Sequence, residues 1–131
     1  MSAALRTNMR YTIATILAAA LLAITPIGSA HHSPVAFNTQ VTDFELKGVI
    51  EHVEMRNPHS VMQLRVPNDD GTTTLWDIEF SSVNLLLRRG WDFDRIKVGD
   101  RVTCVGNPSA TGQTEMYMWS IVLADGTEFA R

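Results

Sequence analysis

Residues 44–123 alternate apolar and polar side chains in short runs, and each run ends at a turn signal. In the run 73–80, for example, Trp76, Ile78 and Phe80 share one face. Strict alternation over a few residues indicates a half-buried β-strand. A cluster such as Pro-Asn-Asp-Asp-Gly at 67–71 indicates a hairpin turn. The pattern predicts five strands, at about 44–55, 61–66, 73–80, 101–106 and 115–123.

One segment breaks the alternation. The pair Ser81-Ser82 can cap a helix, and Val83, Leu86 and Leu87 fall on one helical face. Gly90 then suits the position just after a helix end, where a left-handed backbone is common. This segment predicts a single short helix between the third and fourth strands.

The predicted order β-β-β-α-β-β is typical of an all-β domain with one short helix. The apolar phase of the first strand slips after Gly48, which predicts a bulge that bends this strand. A bent first strand and a helix at the barrel end predict a five-stranded OB-like Greek-key barrel. A small β-sandwich is the alternative. Neither fold selects a function by itself.

The first thirty residues have the pattern of a secretory signal peptide. Arg6 and Arg10 precede an apolar run at about 11–24, and Gly28-Ser29-Ala30 supplies small residues for cleavage. We expect cleavage after Ala30 and a periplasmic location. The predicted organisation is a signal peptide at 1–30, an extended arm at 31–43 and the barrel domain at 44–131.

Length, charge and cysteine content exclude several classes of protein. With 131 residues there is room for one domain, and one cysteine excludes a disulfide framework or a Cys-cluster zinc site. We expect Cys104 to be buried and inert. The net charge of −3 argues against nucleic-acid binding, and basic residues cluster along the chain only at Arg88-Arg89. No phosphate-binding loop or dinucleotide fingerprint is present, so we predict no enzyme.

Several motifs make the chain similar to a known family. They are His31-His32-Ser33-Pro34, Asn57-Pro58-His59, the run 85–91 (LLLRRGW), Gly106-Asn107-Pro108 and Leu123-Ala124-Asp125-Gly126. Together they resemble a family of small exported bacterial proteins classed as a domain of unknown function, with a His-His-Ser mature start and an Asn-Pro-His turn. Met55 is a departure, since an aromatic residue is common there. The resemblance implies export and a single β-rich domain, and it implies no chemistry.

Three histidines are the first candidates for a metal site. After cleavage, the amine and imidazole of His31 can chelate one metal ion together, and His32 adds an amide nitrogen and a second imidazole. Such nitrogen donors suit Cu(II), which favours tetragonal geometry. His59 supplies a third imidazole if the arm folds back. The alternative is a polar arm and a histidine that orders the Asn-Pro turn.

Two methionines are weaker candidates. Met116 and Met118 lie two residues apart on the fifth strand, so they share a face, and thioethers are soft ligands for Cu(I). The alternative is ordinary core packing. Asp77 and Glu79 form an outward carboxylate pair that could bind a metal or simply be solvated. His52 is expected on a solvated face.

Five aromatic residues are expected to fill the core and plug the barrel, with Trp91 nearest a rim: Trp76, Phe80, Trp91, Tyr117 and Trp119. The predicted function is a non-enzymatic periplasmic binding module that binds copper through the His arm. One alternative is a structural or protein-interaction module without metal, and another is a copper oxidoreductase. The expected partner is a small ligand, a metal ion or a periplasmic protein, with no nucleic acid and no membrane after signal cleavage.

Overall fold

The computed structural model describes residues 36–130, so the predicted signal peptide, His31 and His32 lie outside the described residues. Within this range the chain forms six β-strands, one α-helix and one 3-10 turn. In chain order they are β1 (Phe44–Glu54), β2 (Ser60–Pro67), β3 (Thr73–Phe80), α1 (Val83–Arg88), the 3-10 turn (Phe93–Arg95), β4 (Arg101–Pro108), β5 (Glu115–Leu123) and β6 (Glu128–Ala130). No helix among residues 36–130 is long and apolar enough to cross a membrane.

The first five strands close into a barrel. The hydrogen-bonded order is β3-β2-β1-β4-β5, and a parallel pairing of β3 with β5 closes the sheet. That pairing sets Asp77 against Glu115 and Glu79 against Tyr117, while the other pairings are antiparallel. With α1 between β3 and β4, the topology confirms the predicted OB-like barrel over the β-sandwich.

β1 carries the predicted bulge, but at a different residue. The β1–β2 register shifts between Ile50 and His52, so the extra residue is Glu51 rather than Gly48. Gly48 is required for a different reason, the close approach of β1 to β2. A Cβ at this position would lie 2.5 Å from the carbonyl oxygen of Arg65. The phase slip was visible in the sequence, but its position depends on how β2 pairs with β1.

The barrel interior is filled by inward-facing side chains of all five strands. Leu86 of α1 also contributes, as do Trp91 and Ile96 in the segment between α1 and β4. The buried apolar set is Leu46, Ile50, Met62, Leu64, Ile78, Phe80, Leu86, Trp91, Ile96, Val102, Cys104, Met116, Met118 and Ile121. Burial of Cys104 is as predicted, and desolvation raises the pKa of its thiol to about 12.

β5 corrects the expectation for two aromatic residues. Tyr117 and Trp119 are only half-buried, whereas Met116 and Met118 face the core. The β4–β5 register runs from Val105 opposite Ser120 to Gly106 opposite Met118, which leaves Trp119 as a bulged residue. The bulge changes the inward phase along the strand, so an unbroken alternation assigned the faces wrongly.

The helix α1 after β3 has the predicted cap and end, but one of its leucines is exposed where burial was expected. Ser82 Oγ accepts a hydrogen bond from the Leu85 amide at 3.4 Å, and Gly90 has a φ of 79°. Leu87 is 54% exposed, although the helical pattern placed it on the buried face with Leu86.

Trp91 is buried rather than placed at a rim. Its ring lies between Phe80 and Phe129, at centroid distances of 6.1 and 5.6 Å. Its indole N–H donates to the Ala130 carbonyl at 3.1 Å. Both Phe129 and Ala130 belong to β6, a three-residue strand that the sequence pattern did not predict and that covers this ring.

Candidate functional site

The side chains of His59 and Glu79 are in close contact on the outer surface of the barrel. The Nδ1 atom of His59 lies against Oε1 of Glu79, and the side chains are 38% and 16% exposed. The β2–β3 register pairs Val61 with Glu79 and Ser60 with Phe80. His59, the residue before β2, is therefore diagonal to Glu79 on the same face of the sheet, where side chains reach each other.

The turn before β2 holds the backbone of His59 in place. The Asn57–Pro58 peptide bond is cis. Arg56 Nε donates to the His59 carbonyl at 3.2 Å, and Ser60 Oγ donates to the Arg56 carbonyl at 3.3 Å. Because Ser60 is fully buried, these bonds connect the half-buried His59 to the core of the barrel.

Tyr117 of β5 borders the pair. Its ring meets the His59 ring edge-on, at a centroid distance of 6.5 Å and an angle of 82°. Its hydroxyl lies 3.4 Å from Ser81 Oγ, and its ring also contacts Phe37 at 5.8 Å. The parallel β3–β5 pairing that closes the barrel thus places Tyr117 beside Glu79.

The segment before β1 is docked on the end of β4. The Asn38 amide donates to the Pro108 carbonyl at 2.8 Å, and the Ala110 amide donates to the Ala36 carbonyl at 2.9 Å. Asn107 Nδ2 donates to the Val41 carbonyl at 2.7 Å. These bonds bring Phe37 to Tyr117, so the described chain starts beside the His59–Glu79 pair.

The pair has the chemistry of an oriented metal ligand. An imidazole whose Nδ1–H faces a carboxylate keeps its lone pair on Nε2, and ligating histidines commonly have such a carboxylate behind them. Residues 36–130 hold no group of three or more His, Cys, Asp or Glu side chains suited to a metal ion. This surface therefore offers one oriented imidazole, and further ligands would have to come from elsewhere.

The other candidate residues lie apart from His59. Met116 and Met118 are fully buried in the core. This position agrees with the alternative that they serve ordinary core packing. Asp77 accepts a hydrogen bond from Gln63 Nε2 at 3.1 Å, whereas Glu79 contacts His59. His52 is exposed on β1, as expected.

Sequence reasoning named His59 and Glu79 separately but missed their contact. Counting back from the turn at 67–71, with Pro67 opposite Thr73, places Ser60 opposite Phe80. This count was available and sets His59 diagonal to Glu79. Tyr117 gave no such signal, because its placement depends on a parallel pairing between distant strands.

Comparisons with known proteins add a family and one solved structure. The profile of a family of unknown function (DUF6152) matches residues 19–117. No curated protein matches the chain. A crystal structure of the mitochondrial single-stranded DNA binding protein Rim1 from S. cerevisiae is similar at 13% sequence identity and a TM-score of 0.46, covering 64% of this chain and 96% of that chain.

Proposed function

The chain belongs to the DUF6152 family, whose function is unknown, and from this premise we propose that it is an exported, non-enzymatic binding module that binds one copper ion. In this proposal the ligands are His31 and His32 of the mature N-terminus together with His59. Glu79 is the carboxylate that orients His59.

The observation that carries the proposal is the position of the docked segment relative to the oriented histidine. Phe37 contacts Tyr117, and Tyr117 contacts His59. His31 precedes Ala36 by five residues, and an extended chain spans about 3.3–3.6 Å per residue. We propose that a mature N-terminus that starts at His31 uses this reach, about 16–18 Å over five residues, to return to the His59 ring.

The donor set favours copper over harder cations. An N-terminal amine and imidazoles are nitrogen donors, which bind Cu(II) ahead of the other divalent first-row metals. Calcium and magnesium prefer several oxygen ligands, whereas the described site offers a single carboxylate already in contact with His59. Copper in this site would be held by nitrogen atoms, and Glu79 would orient the His59 imidazole from behind.

The test uses the full chain, produced in a Gram-negative host and purified from the periplasm. Intact mass establishes the N-terminus, and Cu(II) is then titrated against a competing chelator for wild type and variants. We expect a start at His31, one tightly bound Cu(II), and loss of that binding in His31→Ala. His59→Ala should weaken binding at least tenfold, and Glu79→Gln by about 10–100-fold, as for other carboxylates behind a ligating histidine.

His52→Ala is the matched control, because His52 is an exposed histidine on the neighbouring strand. It should bind Cu(II) as wild type does. A mature chain that starts elsewhere, or equal affinity in the His59→Ala and His52→Ala proteins, would contradict the proposal. Weak copper binding by all variants would favour the protein-interaction alternative.

A further inference from the structure

A groove of about 510 Å³ runs over the outer surface of β1. Its walls come from β1, β2, the start of β3, β4 and the end of β5, and its basic lining residues are Lys47, Arg65 and Arg101. Along the chain, basic residues cluster only at Arg88-Arg89. The three groove residues are far apart in the chain and meet only in the folded sheet.

Strand register explains how the three cations meet. Val49 of β1 pairs with Arg65 of β2 on one side and with Arg101 of β4 on the other. Directly paired residues point to the same face, and neighbouring strands lie about 4.8 Å apart. Lys47, two residues before Val49, shares that face. Three positive charges therefore surround one half-buried valine.

The side chains of Arg65 and Arg101 differ in their hydrogen-bond partners. Arg65 is held in place, because its Nε donates to Glu51 Oε1 at 2.5 Å and its Nη1 donates to Thr73 Oγ1 at 3.3 Å. These two bonds leave other N–H donors of the guanidinium available. Arg101 is exposed and forms no side-chain hydrogen bond or ion pair with any residue in 36–130.

Lys47 completes the set with a weak partner. Its Nζ lies 3.7 Å from Glu45 Oε2, and both side chains are largely exposed, so this pair contributes little and is easily exchanged. No residue that lines the groove is acidic, but Glu45 and Glu51 beside it contact Lys47 and Arg65. Arg101 has no such carboxylate partner among residues 36–130, so it supplies the excess positive charge of the groove on a chain whose net charge is −3.

We propose that this groove binds a small organic anion with at least two carboxylate or phosphate groups. Guanidinium groups pair with the oxygens of such anions through two parallel hydrogen bonds. In the bound state Arg65 and Arg101 each contact one anionic group, Lys47 adds a third positive charge, and Val49 lies under the carbon skeleton. The groove volume falls within the range of about 300–1,000 Å³ that is usual for small-molecule sites.

The test titrates the exported, metal-free protein with two probes, citrate and inorganic pyrophosphate, at about 20 mM and about 150 mM salt, since screening weakens exposed charges. Calorimetry gives the affinity, and amide NMR shifts locate the site. We expect saturable binding of at least one probe, with shifts at Val49 and Arg101. Tighter citrate binding assigns a carboxylate ligand, and tighter pyrophosphate binding assigns a phosphate ligand.

The deciding variant is Arg101→Gln, which removes one charge from the groove, and its control is Arg89→Gln, which removes one charge from an exposed site after α1. Loss of a charge-assisted hydrogen bond should weaken binding about tenfold or more in Arg101→Gln, with no change in Arg89→Gln. Thermal melting checks that both variants fold.

Equal weakening by the two substitutions would show general charge attraction and overturn the proposal. Absence of saturable binding by either probe at low salt would also overturn it. The groove residues are not among the copper ligands proposed above, and the protein is metal-free here. Failure of the anion site would therefore leave the copper proposal standing.

Discussion

Gly106 lies where β4 and β5 approach each other at the bulge, and replacing it with alanine tests how closely this contact is packed. A Cβ at this position would lie 2.2 Å from the Tyr117 carbonyl oxygen and 2.9 Å from the Met118 Cα. Both neighbours are backbone atoms of a paired strand, so no flexible side chain can move aside. The two strands would have to separate by about 1 Å to restore normal contact distances in a close-packed interior.

The size of the effect follows from two opposing terms. Forcing an extra carbon into a well-packed core costs about 1–3 kcal/mol, and we expect about 3 kcal/mol because backbone must shift. Alanine also restricts the unfolded chain, which stabilises the folded state by about 0.4–1 kcal/mol. The net expectation is a loss of about 2 kcal/mol or more in the free energy of unfolding. A domain with a typical stability of about 5–15 kcal/mol would still fold.

The assay is urea unfolding of the mature domain, with tryptophan fluorescence as the signal that reports unfolding. The midpoint should fall while the slope m stays unchanged, which is the signature of altered stability. Gly112→Ala is the control. Its Cβ would meet nothing within 4 Å, but its φ is 78°, so it should cost only about 1 kcal/mol for a left-handed backbone. A loss in Gly106→Ala no larger than in Gly112→Ala would refute the steric argument.

Three further predictions address the core, the thiol and acid stability. Leu86→Ala should lower the free energy of unfolding by about 2–5 kcal/mol, because Leu86 is buried. Leu87→Ala should change it by less than about 0.5 kcal/mol, because Leu87 is exposed. Equal losses of the two variants in urea unfolding would contradict the assigned helix faces. Burial raises the pKa of the Cys104 thiol to about 12. Cys104 should therefore react with a thiol reagent at mildly alkaline pH only after denaturation. Fast reaction of the native protein would show that the thiol is accessible. The side-chain hydrogen bond from Thr72 lowers the pKa of Asp70, so its contribution is present above the unfolded pKa and is lost as pH falls through the folded pKa. Urea midpoints between neutral and acid pH should therefore fall less for Asp70→Asn than for wild type.

Much of the local structure could be predicted from local chemistry. The bounds of β3 and β5 agree with the structure, because the alternation of side chains along a strand is a property of its own backbone. The cap at Ser82 and the turn at Gly90 were also predictable, since each depends on one or two residues. The β6 strand was not, because three residues are too short to show a period.

The candidate site could be predicted only in part. His59 stood out because it follows an Asn-Pro turn, and Glu79 because it lies on the polar face of a strand. Their contact needed the β2–β3 register. The contact with Tyr117 needed the β3–β5 pairing, which joins strands separated by a helix and β4.

The sequence by itself determined the number and order of the main elements, the burial of Cys104 and the overall OB-like class. Only the tertiary structure decided which face of β5 is inward, because Met116 and Tyr117 are both large and apolar enough to be buried, and a bulge at Trp119 changes the phase. It also decided that Arg65 and Arg101 flank Val49. The physical reason is the same in both cases. Periodicity is fixed within a strand by its own backbone geometry, whereas register and closure are fixed by hydrogen bonds between strands that are distant in the chain.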